Sequence, residues 1–222
     1  MPVISVCSSK GGAGKSTSAV LLGLELAEKG ARVSIIDADR NVPVMSWSKR
    51  TGRPDNLQVI ADLSEETIID TISDAAAASS FVLVDLEGTA SMAVGYAISR
   101  SDLVIIPCQG SQLDAAEAVK TVKLVRRQEK AFGRKIHCAI LFTRTSAAIE
   151  TRDLKDITNQ FSQAGVAVFE TRMVERAAFR AIFSFGGSLS KLDGSQVSGI
   201  PAAMKNARAF MAEVVSMLKQ DK

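Results

Sequence analysis

The sequence has one histidine, His137, and three cysteines, Cys7, Cys108 and Cys138, which lie far apart and form no C-x-x-C pair. A histidine or cysteine metal centre therefore has no ligand set to draw on. Each cysteine falls in or beside an apolar, strand-like run, where a buried reduced thiol is the expected state. No apolar run approaches the ~20 residues that a membrane helix needs. The N-terminus passes from a short apolar run straight into glycines, unlike a signal peptide. Aromatic residues make up only 5% of the chain, too few for the stacking platforms of a single-strand nucleic-acid binder. Charge of one sign is also scarce: the formal net charge is +3, so contact with nucleic acid has to come from a local basic patch. There is no internal repeat, linker or low-complexity tract.

What remains is a chain of 222 residues, 46% hydrophobic and 23% charged, which suits one folded α/β unit with a substantial core. Apolar runs at residues 3–7, 32–36, 81–84, 102–106, 136–142 and 166–169 read as strands. Helical periodicity fills residues 16–29, 65–77, 91–99, 114–132, 149–164, 175–185 and 200–218. Strands alternating with helices predict a mostly parallel twisted sheet with helices on both faces. Acidic residues follow three of the strands, where ligands gather in such sheets.

The first strand runs into Ser8-Ser-Lys-Gly-Gly-Ala-Gly-Lys-Ser-Thr17. Gly14-Lys-Ser16 after a buried strand and before a helix is the core of a P-loop, so the fold class is α/β of the P-loop NTPase kind. Backbone N–H groups of Gly11, Gly12, Ala13, Gly14, Lys15, Ser16 and Thr17 would wrap phosphate oxygens at the helix N-terminus. Lys15 is placed to reach the β- and γ-phosphates and Ser16 to ligate Mg²⁺. Ser9 stands where the leading glycine of the motif normally sits, and Lys10 is surplus to it. Asp85 ends a strand and can hold the Mg²⁺ shell, with Gly88 offering its N–H to the γ-phosphate. Asp37 and Asp39 suit an outer Mg²⁺ contact and a water-positioning group; a helix-cap role competes for them. No guanine-reading N-K-x-D stretch is present, which favours ATP.

The run Lys10-Gly-Gly-Ala-Gly-Lys-Ser-Thr17 resembles the deviant Walker A loop of the ParA/MinD ATPase superfamily. Ile36-Asp-Ala-Asp39 with Met45-Ser-Trp47, and Ser101-Asp-Leu-Val-Ile-Ile-Pro107 with Leu113-Asp114, resemble small ParA-type partition ATPases. Arg176-Ala-Ala-Phe179 with Gly186-Gly-Ser188 is similar to their C-terminal pattern. The chain begins directly at its first strand, without the N-terminal helix-turn-helix domain of larger plasmid ParA proteins. The resemblance implies that Lys10 is a signature lysine reaching a partner's nucleotide across a homodimer, with Lys10, Lys15 and Asp39 as the catalytic set. It places Arg144 near the adenine base. It implies a cytoplasmic, nucleoid-associated ATPase with ATP and Mg²⁺ as cofactors. The ATP dimer would bind non-specific double-stranded DNA, and a ParB-like or other adaptor would stimulate hydrolysis.

Two stretches depart from the family pattern. Asp39-Arg-Asn-Val stands where D-x-P-Q is frequent, and Asp85-Leu-Glu-Gly88 where D-T-P-G is frequent. Both lie in the loops expected to sense the γ-phosphate. The D-A-D-x-N-x-P pattern is similar to ParA-like ATPases of T-DNA transfer, so DNA transfer is an alternative to partition. A MinD-like membrane regulator is the other alternative, but the tail at residues 216–222 is short and of mixed charge, so no stable membrane association is expected. Three basic sets are candidate DNA contacts: Arg172, Arg176 and Arg180 at intervals of four; Lys205 and Arg208 on the last helix; and Lys120, Lys123, Arg127 and Lys130 on the long middle helix. The resemblance favours the two C-terminal sets, and a solvated helix face or a regulatory partner remains open for the middle helix.

Overall fold

A computed structural model describes residues 1–88, 91–148 and 151–220, the last without its side chain. In chain order the elements are β1 (Val3–Val6), α1 (Lys15–Glu28), β2 (Val33–Ala38), α2 (Pro43–Ser48), β3 (Leu57–Ala61), α3 (Ile68–Ala78), β4 (Phe81–Leu86) and α4 (Met92–Ser99). Then follow β5 (Leu103–Cys108), α5 (Gln112–Phe132), β6 (His137–Thr145), α6 (Arg152–Gln163), β7 (Ala167–Val168), β8 (Met173–Val174), α7 (Ala177–Phe185), a 3₁₀ turn (Leu189–Lys191) and α8 (Ile200–Gln220).

The strands form one sheet in the order β3-β2-β4-β1-β5-β6-β7, with β8 also pairing β6, and every pairing is parallel. The runs of β1, β2 and β5 are buried at every position, as a sheet covered on both faces requires. One helical layer contains α1, α2, α7 and α8, with Trp47, Phe179 and Phe210 in its core. The other contains α3, α4, α5 and α6, with Ile72, Ile98, Val125 and Phe161 in its core. Hydroxyl caps start three of these helices: Ser91, Ser111 and Thr151 accept from the N–H groups of Val94, Asp114 and Leu154.

The chain runs outward from β1 to β3, returns to insert β4 between β2 and β1, and then crosses to β5. That reversal opens a crevice at the carboxyl ends of β1, β2 and β4, where a ligand site is expected.

Four details differ from the pattern read in the sequence. β3 has no counterpart there: it is an edge strand whose burial is broken along its length, so it carries no clean apolar run. The strand expected at residues 166–169 shrinks to two residues, and β8 follows it unforeseen. The helix expected at 175–185 starts only at Ala177. The helix expected at 149–164 starts at Arg152; its first two expected residues, Ile149 and Glu150, lie outside the described residues, as do residues 221 and 222 of the tail.

Candidate nucleotide site

The phosphate loop joins β1 to α1. Gly12 and Gly14 both have left-handed φ, 75° and 100°, which side-chain-bearing residues rarely adopt. Gly14 is the N-cap of α1 and has no side chain to cap with, so the first N–H groups of the helix face the loop's concavity. A Cβ at Gly14 would meet Thr143 Cγ2 at 3.4 Å. Thr143 holds the loop from below, its hydroxyl donating to the Ala13 carbonyl at 2.7 Å. Gln109 adds a second tether, Nε2 to the Gly12 carbonyl at 3.1 Å.

Ser9 does more than replace a glycine. Its hydroxyl reaches the Glu117 carboxylate at 2.8 Å and its N–H the Thr121 hydroxyl at 3.3 Å, hooking the loop onto α5. Lys10 is turned the same way: its ammonium pairs with Asp114 at the start of α5. Burial works to raise the Asp114 carboxyl, but hydrogen bonds from Lys10 and Ser111 overcome it and hold it below its ordinary value. Leu113-Asp114 belongs to the resemblance noted above, but nothing in the sequence pairs Asp114 with Lys10, and Glu117 carries no motif signal.

Lys15 is buried at 7% exposure. A Cβ at Gly88 would lie 3.6 Å from its ammonium and 3.2 Å from the Ser8 carbonyl, so a larger residue would crowd the close approach of the loop after β4 to the phosphate loop. Asp85 is fully buried, and neither of its oxygens has a hydrogen-bond partner. Burial pushes its carboxyl up to about 7; Ser16 and Lys15 pull it down, while Asp37 and Asp39 push it up. A buried carboxylate left unpartnered beside a hydroxyl and an ammonium is costly unless something cationic joins it. The residues present therefore fit a hard divalent cation held by oxygen.

Asp37 is the register neighbour of Asp85 across β2 and β4. One of its oxygens accepts the Met45 N–H at 2.7 Å, so it anchors the start of α2 as well as facing the crevice. Burial raises its carboxyl, against backbone hydrogen bonds from Met45 and Asp39. Asp39 is more open and is held by Asn41, whose N–H and side-chain amide donate to one Asp39 oxygen at 2.9 and 3.1 Å. Arg40 Nε lies 3.2 Å from the Glu87 carboxylate, so the two stretches that depart from the family pattern pair with each other.

On the other side of the loop a cavity of about 80 Å³ is lined by Gly14, Thr17, Ser18, Arg144, Arg176, Phe179 and Arg180, among others. Arg144 has a left-handed φ of 53° where the β6–β8 register shifts, a bulge that re-aims the chain beside the cavity. The three arginines expected on one helix face do not share one. Arg172 precedes β8, Arg176 is the N-cap of α7, and only Arg180 is helical. Arg176 lines the cavity with a buried Nε that has no partner, and Arg180 pairs with Glu175 at 2.8 Å. The sequence shows a spacing of four there but not the short strand that interrupts it. On α8, Arg208 reaches inward, 3.5 Å from the buried Glu25 of α1, while Lys205 stays exposed. Lys120, Lys123 and Arg127 of α5 line a separate cavity with Ser9 and Gly88.

The three thiols are free and buried, and burial pushes those of Cys7 and Cys108 up to about 12. Among the described residues no group of histidine, cysteine, aspartate and glutamate forms a metal cluster, and no helix is long and apolar enough to cross a membrane.

Comparison with known proteins places the chain in a family. The VirC1 protein family matches residues 1–220. Protein ParA of Rhizobium radiobacter is 40% identical over 220 residues, covering 99% of each chain. Protein virC1 of Rhizobium rhizogenes is 28% identical over 225 residues, covering 99% of this chain and 96% of its own. Among solved structures, the ATP complex of a Cyanothece McdA variant superposes with a TM-score of 0.76 at 16% identity, over 96% of each chain. The chain belongs to the VirC1 family, within the ParA/MinD superfamily of P-loop ATPases.

Proposed function

We propose that the chain is a Mg²⁺-dependent ATPase that dimerises on ATP, binds DNA non-specifically as the dimer, and positions a plasmid, chromosome or other cargo. A ParB-like or other adaptor protein stimulates hydrolysis and release. The observation that carries this reading is the buried, unpartnered Asp85 facing Lys15 and Ser16 beneath a glycine cradle.

In this reading the loop N–H groups and the N-terminus of α1 receive the phosphates, and Lys15 neutralises the bridging oxygens. Ser16 and Asp85 would hold Mg²⁺, with Asp37 as an outer contact, and the ion would supply charge neutralisation for phosphoryl transfer. Asp39 orients the attacking water, and Asn41 keeps its carboxylate from rotating away. Arg144 and Arg176 flank the base side of the cavity, where the orphaned Arg176 Nε gains an acceptor. Lys10 is held by Asp114 within one chain, so reaching a partner's nucleotide requires it to leave that carboxylate. Closure is then a switch in which the γ-phosphate orders the loops after β2 and β4.

The test is binding to a random-sequence duplex with ATP-Mg²⁺ against ADP-Mg²⁺ at moderate salt. Binding with ATP alone supports the reading; no binding in protein that dimerises on ATP sinks it. A role in DNA transfer is the second reading, favoured by the VirC1 match and by Asp37-Ala-Asp-Arg-Asn41-Val-Pro43. It shares the same ATP switch and differs in the cargo.

A further inference from the structure

We infer that the basic turn after α2, with Lys49, Arg50 and Arg53, joins Lys191 in a second surface for the phosphates of duplex DNA, mechanically tied to the nucleotide loop. The inference rests on the proposed DNA-binding function and names where contact is made.

The first argument is a census of cations on the helical layer that holds α1, α2, α7 and α8. Arg180 and Arg208 are paired with carboxylates, and Arg176 is turned into the nucleotide-side cavity. Lys49, Arg50, Arg53 and Lys191 are exposed, and among the described residues none of them makes an ion pair; Lys29, Lys205 and Lys219 are exposed and unpaired as well, but they stand singly at the end of α1 and along α8. Arg53 donates one N–H to the Leu57 carbonyl, which fixes its guanidinium near the turn and leaves its other donors outward. Asp193, on the same rim as Lys191, accepts the Ser195 N–H at 2.8 Å, and Glu28 accepts the Ser190 hydroxyl at 2.7 Å; Asp55, close to Arg53 in the chain, is the other carboxylate beside the turn. Unpaired cations on a fixed frame suit a phosphate backbone, which needs charge and position rather than a shaped pocket.

The second argument is how the turn is fixed. A Cβ at Gly186 would lie 2.5 Å from Arg50 Cβ and 2.8 Å from the Thr51 carbonyl, and one at Gly52 would lie 3.1 Å from Gly187 Cα. All three glycines have left-handed φ. Trp47, fully packed, donates its indole N–H to the Gly187 carbonyl at 3.3 Å. Lys191 faces Thr51 and Gly52 across a cavity of about 270 Å³. The basic turn and Lys191 are thus one surface. Nothing in the nucleotide site requires that backbone approach.

The third argument is the other end of α2. Its first turn hangs from Asp37 through the Met45 N–H. The helix has six residues, about 9 Å of rise, so the Asp37–Asp39 loop and the pinned basic turn are the two ends of one short rod with no flexible linker between them.

The test uses the full chain with ATP-Mg²⁺ and a fluorescent random-sequence duplex, titrated with salt. Lys49→Ala with Arg50→Ala keeps the Cβ packing against Gly186, and Lys191→Ala is a separate variant. The double variant is expected to lower the slope of log affinity against log salt by about two and to weaken binding roughly tenfold or more at about 0.1 M salt. Nucleotide affinity and ATP-dependent dimerisation should stay as in the wild type. Wild-type binding with an unchanged slope in the double variant overturns this surface and leaves the function standing. Failure of the wild type itself to bind DNA overturns both. Loss of a protein partner's binding at unchanged DNA affinity would reassign the surface to that partner.

Discussion

The residue that most constrains the site is Asp85. Its carboxyl is raised by burial from 3.8 to about 7, so the folded, nucleotide-free chain holds a proton that the unfolded chain releases. Stability from that proton is complete below about pH 4, declines as pH rises and is gone above about pH 7. Asp85→Asn should therefore stabilise the nucleotide-free protein at about pH 8, by ~1–3 kcal/mol in denaturant titration, with the gain shrinking as pH falls and vanishing only below about pH 4. The same variant should lose Mg²⁺-dependent ATP binding. A variant that is less stable at both pH values would mean that Asp85 is satisfied in the free protein. Asp39→Ala tests the neighbouring assignment: single-turnover hydrolysis should fall by ~10²–10⁴ while ATP binding survives. The phosphate-loop residues and the strand-end carboxylates were legible because their chemistry is local in sequence. Asp114 and Arg176 were visible as motif residues but their surroundings were not, and Glu117 was not visible at all, because those contacts are made across the fold.

At the scale of elements, the two loops that depart from the family pattern form a unit. Val42 is the N-cap of α2 with φ 41°, a left-handed conformation that a β-branched residue resists. Arg40 and Glu87 span from this loop to the one after β4. Strain at a cap between Asp39, the carboxylate proposed to position water, and α2 fits a loop with two arrangements. Val42→Gly should relieve about 1 kcal/mol of that strain, offset in part by the greater backbone freedom of glycine in the unfolded chain. Net stability should change little, whereas the hydrolysis rate should change clearly. A large loss of stability with unaltered turnover would show the loop to be scaffold only. The long strands and helices were legible from their periodicity, since buried parallel strands and amphipathic helices differ in period. β3 and β8 were not, because a half-open edge strand and a two-residue strand leave too few apolar positions to set a pattern.

For the whole molecule, the surplus lysine is where the proposed dimer can be tested. Lys10 turns from the phosphate loop and pairs with Asp114, so in the proposed reading a lone chain holds it away from the phosphates. The Lys10 ammonium is half exposed whereas Asp114 is buried, so exchange for a nucleotide phosphate in a dimer leaves a buried carboxylate that Ser111 still holds. Lys10→Ala should still bind ATP but lose stimulated hydrolysis, and Lys15→Ala should lose ATP binding. Mixing the two inactive proteins separates the alternatives. In a mixed dimer, the chain carrying Lys10→Ala binds ATP and the chain carrying Lys15→Ala offers its intact Lys10. If Lys10 works across the dimer, part of the activity returns on mixing and grows with total protein concentration, because the competent site exists only in the pair. A lysine working within its own chain gives no recovery at any ratio. Asp114→Asn should shift the same balance from the other side, releasing Lys10 while an amide at the position can still accept from Ser111. ATP-dependent dimerisation should then begin at lower protein concentration, and a variant that dimerises less readily would make the Lys10–Asp114 pair a support for the closed state rather than a restraint on it.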